Sequence, residues 1–263
     1  MSADLTNTDW DPETYHWFRG LRLQPAVDLM ARIPAVPEGD VIDLGCGAGD
    51  AARGLRHRFP KAQLIGVDQS PAMLEEAADL ALYDRLHPFD IAQWTPAEPP
   101  ALVFSNAALH WVGDHETLIP ALARALAPHG VLAVQMPHQN NAASHRMWHS
   151  LVADLFPGAF DPEDAPSILL PAQYHHMLTP MGPVSMWETE YYQHLDPSDD
   201  GHPVRHFTQA TYARPVLDAL DPADQDALCR AYDAVIDKAY PLAADGSVLF
   251  PFRRLFFILQ RAD

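Results

Sequence analysis

A chain of 263 residues with 48% hydrophobic content can bury the core of one α/β domain with insertions. Its 17 basic residues, only two of them lysine, face 35 acidic ones for a formal charge of −18, which argues against a nucleic-acid or anionic-membrane partner. Two cysteines, Cys46 and Cys229, are too few for a disulfide framework or a zinc site, and no apolar run reaches membrane-spanning length.

Met1 to Trp10 is polar and acidic, unlike a signal peptide, so the expected setting is the cytoplasm. The first strand, Val41-Ile42-Asp43-Leu44, runs into Gly45-Cys46-Gly47-Ala48-Gly49-Asp50. A helix comes next, and a second apolar strand, Leu64 to Val67, closes on Asp68, 19 residues after Gly49. This βαβ unit suits a nucleoside-bearing cofactor. Glycines admit close backbone approach, and a carboxylate at the strand tip can accept from both ribose hydroxyls. A dinucleotide fingerprint wants its third glycine at position 50 and a pyrophosphate facing the helix N-terminus. Here position 50 is an aspartate and Asp43 precedes the first glycine by two, so negative charge stands where the pyrophosphate would sit. A sulfonium bearing an ammonium group is favoured there instead. S-adenosylmethionine (SAM) is the expected cofactor, with NAD(P) as the alternative.

Ser70 and Pro71 read as the N-cap and first position of a helix ending near Leu82. A short strand then ends at Phe89, with Asp90-Ile91 after it, and Trp94 to Pro100 forms a proline-rich loop. Ala101 to Phe104 reads as a buried parallel strand with Ser105-Asn106 at its carboxyl tip. His115 to Ala127 is the next helix, with Gly130 as its C-terminal cap, and Val131 to Met136 the next strand, stopped by Pro137. The predicted fold is a doubly wound, mostly parallel sheet of the Rossmann-like kind, with its ligand crevice at the carboxyl ends of the strands.

Beyond Pro137 the alternation breaks. Residues 143–156 read as helix, 157–171 as loop, Trp187 to Leu195 as a strand, 203–240 as further helices, and Leu249 to Gln260 as a terminal strand. No linker divides the chain, so we expect one domain over 1–263. Its cofactor core would span 31–136, and the segments 1–30, 137–185 and 200–245 would cap the crevice. The 14 histidines are scattered, and His175-His176 lacks a carboxylate partner at helical spacing, so no metal site is expected.

Asp43 to Gly49, Gly66-Val67-Asp68, Asp90-Ile91 and Ser105 to Trp111 resemble, in order, the motifs of class I SAM-dependent methyltransferases. Asp9 to Tyr15, Arg22 to Leu29, Gly130 to Pro137 and Phe252 to Phe256 are similar to segments of one family within that class, the trans-aconitate methyltransferases. The resemblance runs from about Trp10 to Arg261 and is densest before residue 150. It implies transfer of a methyl group to a carboxylate of a small acid such as trans-aconitate, giving a methyl ester. It also implies that Gly45, Gly47 and Gly49 line the methionine half of SAM, that Asp43 orients the glycine loop or receives the ammonium group through water, that Asp68 takes the ribose hydroxyls, and that Cys46 and Gln69 belong to the same cofactor site. Asp90 and Ile91 would frame the adenine, and Asn106 and Ala107 the methionine side.

A tricarboxylate needs cations, and arginine binds carboxylate with two donors at once. Arg22 and Arg254 fall in the matching segments, and Arg214 stands in Tyr212-Ala213-Arg214-Pro215, where the family has a related Leu-Arg-Pro; these three are the expected anchors, with Tyr15 and Trp111 as walls. His110 stands where this family tends to carry Gln, and it is the candidate general base should the acceptor be a hydroxyl or amine, with a role as a hydrogen bonder alone as the alternative. Leu21 and Gln24 also depart from the family's polar and basic residues. Three alternatives stay open: SAM with another small acceptor, a SAM-binding protein without catalysis, and an NAD(P) oxidoreductase. A monomer with a small-molecule substrate is the expected working form.

Overall fold

The computed structural model describes residues 23–161, 168–210 and 212–263. Tyr15, Leu21 and Arg22, singled out above, lie outside the described residues. In chain order the strands are β1 (Val41–Leu44), β2 (Leu64–Asp68), β3 (Arg85–Pro88), β4 (Leu102–Asn106), β5 (Val131–Pro137), β6 (Val184–Leu195) and β7 (Val248–Gln260). The helices are α1 (Gln24–Ala31), α2 (Ala52–Arg58), α3 (Pro71–Asp79), α4 (His115–Ala125), α5 (Ala143–Leu155), α6 (Pro171–Leu178), α7 (Pro203–Gln209), α8 (Arg214–Asp218) and α9 (Pro222–Ile236).

All seven strands form one sheet in the order β3-β2-β1-β4-β5-β7-β6. The first five are parallel, and β7 inserts antiparallel between β5 and β6. The chain reverses direction across the sheet between β1 and β4, so a crevice opens at their carboxyl ends. Ser105 ties these two strands together, its Oγ donating to the Leu44 carbonyl at 2.8 Å. β1, β4 and β5 are buried along nearly their whole length, which explains their continuous apolar runs.

Helices α1 and α2 cover one face through Ala26, Leu29, Met30, Ala52 and Leu55. Helices α4 and α6 cover the other through Leu118, Ile119, Leu122, Tyr174 and Leu178. A third cluster joins α5, α7, α8 and α9 to the far end of β7, with Trp148 stacked on Tyr232 at 4.1 Å.

Several expectations need correction. The described part of the expected N-terminal cap, α1, is a core helix on the sheet, and α6 likewise packs on the sheet, whereas α5 and α7 to α9 gather in the third cluster. Helix α3 stops at Asp79, short of Leu82, because Ala81 takes a left-handed φ of 53°. Helix α4 stops at Ala125, since Pro128 disfavours helical backbone before it, and His129 rather than Gly130 takes a positive φ. Gly130 is needed for space: a Cβ there would stand 2.8 Å from the Ala127 carbonyl oxygen and 3.0 Å from that of Pro100. Strand β6 starts at Val184, where pairing with Leu259 of β7 imposes extension that the local pattern does not signal.

Candidate active site

The turn after β1 is held from below. The amides of Gly45 and Cys46 both donate to the Val67 carbonyl, at 2.8 and 3.0 Å. Asp68 at the tip of β2 pins the rest of the turn to the next helix, accepting from the Gly47 amide on Oδ2 and from the Ser70 amide on Oδ1, each at 2.9 Å. Three glycines stand in the turn for different reasons. At Gly45 a Cβ would meet that of Ala108 at 2.1 Å, and at Gly49 one would meet Leu80 at 2.7 Å. Only Gly47 opens on space, with nothing within 4 Å of an added Cβ.

Asp43 is buried beneath the turn at 2% exposure, and its Oδ2 accepts from the Tyr83 hydroxyl at 2.6 Å. Burial drives its pKa up to about 7, opposed by the Tyr83 hydrogen bond and reinforced by the charges of Asp68 and Asp50. Burial likewise pushes the Cys46 thiol up, so it stays protonated. The unfolded chain ionises Asp43 near 3.8, whereas the folded chain keeps the proton until about 7. This group's contribution is therefore complete below about pH 4 and is lost as pH rises to about 7, on the order of 4 kcal/mol across that window. We expect Asp43→Asn, which still accepts from Tyr83, to flatten the fall in melting temperature between pH 5 and pH 8. A slope equal to that of the wild type would remove Asp43 as its source.

A cavity of about 390 Å³ extends from the turn across the strand ends. Asp43, Gly45, Cys46, Gly47, Ala48 and Asp50 line it from β1 and the turn. Asn106 and Ala107 line it from the tip of β4, where Ala107 holds a left-handed φ of 52° and donates its amide to the Gln135 carbonyl at 2.9 Å. Strained backbone of this kind concentrates at binding sites. Arg254 lines the cavity from β7, opposite Pro137 of β5, with 8% exposure and its guanidinium 4.4 Å from the Phe252 ring. It is the only arginine or lysine among the described residues of the lining. From β1 to β7 is three strand steps, roughly 14 Å. The acidic turn and the buried cation therefore stand at separate ends.

Of the other expected residues, His110 lines the cavity and Trp111 stands at its edge, 54% exposed, with the two rings 4.7 Å apart. Burial, helped by the charge of Arg254, holds the His110 pKa at about 3, and its Nδ1 is buried without a partner. A base that weak is ill suited to proton abstraction near pH 7, which counts against the catalytic role expected of it. Gly49, Asp68, Gln69, Asp90 and Ile91 fall outside the cavity wall. Gly49 lies in the turn after β1, and the other four lie at the tips of β2 and β3, where Asp90 Oδ1 caps the Ala92 amide at 2.9 Å and Ile91 packs against the core. Arg214 must be corrected: its side chain is 75% exposed, lies 3.7 Å from Asp218, and does not line the cavity. As the first residue of α8 it points away, and Tyr212, two residues earlier, enters instead. Sequence reasoning also missed His145, Gln193, Phe207 and the supporting Tyr83, which no local motif marks.

Three features fit SAM. Gly47 leaves a cradle that a side chain would fill, Asn106 Oδ1 is buried with no partner, and Asp50 on the turn supplies charge to meet a cation. Among the described residues no group of three or more His, Cys, Asp or Glu could hold a metal ion, and no helix is long and apolar enough to cross a membrane.

Comparison with known proteins gives the same answer as the turn. Residues 41–130 match a family described as a methyltransferase domain. The YcgJ protein of Bacillus subtilis superimposes with a TM-score of 0.58 at 15% identity, covering 91% of this chain and 98% of that one, which speaks to the fold. A trans-aconitate 2-methyltransferase of Yersinia pestis (strain Pestoides F) is 40% identical over 95% of this chain and 97% of its own length. One from Methylobacterium radiotolerans is 40% identical over 97% and 99%. With identity at this level across nearly the whole of both chains, the protein belongs to the trans-aconitate 2-methyltransferase family of class I SAM-dependent methyltransferases.

Proposed function

We propose that the protein forms a methyl ester on a carboxylate of trans-aconitate or a closely related small polycarboxylic acid. The observation that carries this reading is the division of charge in one cavity, with Asp50 on the turn after β1 and Arg254 buried on β7. In a chain of net charge −18, a buried cation facing a cavity selects for an anionic acceptor.

When bound, SAM supplies an electrophilic methyl group on its sulfonium sulfur. Gly45, Cys46, Gly47 and Gly49 form the cradle for its methionine half, with Asp43 behind the cradle and Asn106 and Ala107 beside it. Asp68 and Gln69 serve the ribose, and Asp90 and Ile91 the adenine. Arg254 binds a carboxylate that does not react and so orients the one that does. A carboxylate is already an ionised nucleophile at neutral pH, so neither a base nor a metal is required, and catalysis rests on alignment in a pocket poor in water. His110 then acts as a neutral hydrogen-bonding group, and Trp111 as a wall at the mouth. Tyr15 and Arg22 remain proposed contacts from the N-terminal segment. On this reading the whole chain is one catalytic domain, monomeric and cytoplasmic.

Asp68→Ala is expected to weaken binding of S-adenosylhomocysteine by more than about tenfold, because it removes the acceptor for the ribose and unpins the Gly47 amide together. Isothermal titration reads this directly, and unchanged affinity would take Asp68 out of the site. The acceptor class is tested by comparing initial rates for trans-aconitate with those for small alcohols and amines. Faster turnover of an alcohol or amine would move the reaction to the alternative acceptor class.

A further inference from the structure

The wall of the cavity formed by α5 and the segment before α8 carries an aromatic cluster with no part in the mechanism proposed so far. His145 and Tyr212 both line the cavity, with ring centroids 3.9 Å apart. Behind them His149 is hydrogen-bonded through Nε2 to the Tyr212 hydroxyl. Ser144, fully buried, lies with its Oγ 3.0 Å from His145 Nδ1.

The proton positions are set by what each buried atom can reach. His149 Nδ1 is buried with no partner. Were the ring's proton on Nδ1, a buried N–H would be orphaned, which native structures avoid more strictly than an unused acceptor. The proton therefore belongs on Nε2 and is donated to the Tyr212 oxygen, which leaves the phenolic O–H to donate elsewhere. For Ser144 the hydroxyl has one neighbour in reach among the described residues, His145 Nδ1, and it donates there. That puts the His145 proton on Nε2. Two neutral donors thus stand side by side in the wall of the cavity that also holds Arg254.

We propose that Tyr212 and His145 form a donor pair that grips a second, non-reacting carboxylate of the acceptor, with His149 as the residue that positions Tyr212. The proposal rests on the reading of the cavity as an acceptor site for a small polycarboxylate, and it adds why such an acid is preferred over a monocarboxylate. Neutral donors suit this place. Burial holds His145 uncharged, with its pKa near 3, and pushes Tyr212 up to about 12, so neither changes charge over the working range. Hydrogen bonds from neutral groups to a carboxylate are stronger than those between two neutral partners, and they do not demand burial of another cation beside Arg254.

The test is titration of trans-aconitate into the protein loaded with S-adenosylhomocysteine, paired with initial rates, for Tyr212→Phe, His149→Phe and the double variant. Tyr212→Phe keeps the ring and its packing and removes only the donor. We expect its dissociation constant and KM for trans-aconitate to rise about tenfold, with affinity for S-adenosylhomocysteine and kcat nearly unchanged. His149→Phe should reproduce that loss, and the double variant should lose no more than Tyr212→Phe alone, because His149 acts through Tyr212. His145→Gln, which keeps a donor, should retain more affinity than His145→Ala. Wild-type binding in Tyr212→Phe while the wild type still forms ester overturns the donor pair and leaves the reading of the site intact. Losses that multiply in the double variant overturn the positioning role of His149. Absence of any binding or ester from the wild type overturns the reading of the site, and the donor pair with it.

Discussion

Replacing Arg254 by methionine is expected to lower kcat/KM for trans-aconitate by about 100- to 1,000-fold, with affinity for S-adenosylhomocysteine left within about threefold. The side chain is the only arginine or lysine among the described residues of the cavity wall, and it is buried. An anion entering that wall loses its water, and without the guanidinium nothing of opposite charge replaces it. Methionine fills the volume against Phe252 without leaving a hole, so the loss reports on charge rather than packing. Exchange of a buried ion for an apolar side chain of similar size is often neutral for stability or better, so the melting temperature should not fall. Lysine should restore part of the activity, because it keeps the charge but gives up the planar fork that meets two carboxylate oxygens. Comparable losses of acceptor and cofactor affinity would make Arg254 a structural residue.

The second large effect is expected from Gly45→Ala. A methyl group at this position would lie 2.1 Å from the Ala108 Cβ and 3.1 Å from Ile91 Cδ1, and the backbone has a φ of +78°. Crowding in a packed region and a left-handed conformation each cost about 1–3 kcal/mol, so together the variant should lose several degrees to about 15 °C in melting temperature. Binding of S-adenosylhomocysteine should fall with it, since the β4 tip and the turn must separate. Gly47→Ala is the control. Its φ of +52° is strained as well, but nothing lies within 4 Å of the new methyl. Stability should drop by only about 1–2 kcal/mol while cofactor affinity falls more, because the methyl enters the cradle. Equal behaviour of the two variants in both scanning calorimetry and titration would show that the turn does not divide its glycines in this way.

How far the fold and the site were legible in the sequence depends on how local each feature is. The β1 turn and Asp68 were readable because strand, glycine turn, helix and acidic tip succeed each other within about thirty residues, and the first five strands because each alternates locally with a helix or loop. The antiparallel insertion of β7 was not readable, because pairing partners separated by more than a hundred residues leave no trace in local alternation. Among the arginines, Arg214 was not the residue that reaches the cavity: the turn entering α8 sends Tyr212 inward and Arg214 to the surface. Arg254 and Arg253 are adjacent and chemically identical in sequence. Only the register of β7, with Arg254 opposite Pro137, decides that one faces the cavity while the other meets Glu190 at 3.6 Å on the exposed side. His145 and Gln193 carry no motif at all; they reach the cavity because α5 and β6 converge on it from separate parts of the chain.

The charge-divided cavity is tested most directly by incubating the purified protein with SAM and trans-aconitate and resolving the products by mass. A monomethyl ester of trans-aconitate should appear in step with S-adenosylhomocysteine, and it should be lost in Arg254→Met. Protein that binds S-adenosylhomocysteine yet yields no ester from trans-aconitate or a related small polycarboxylate would contradict the assignment.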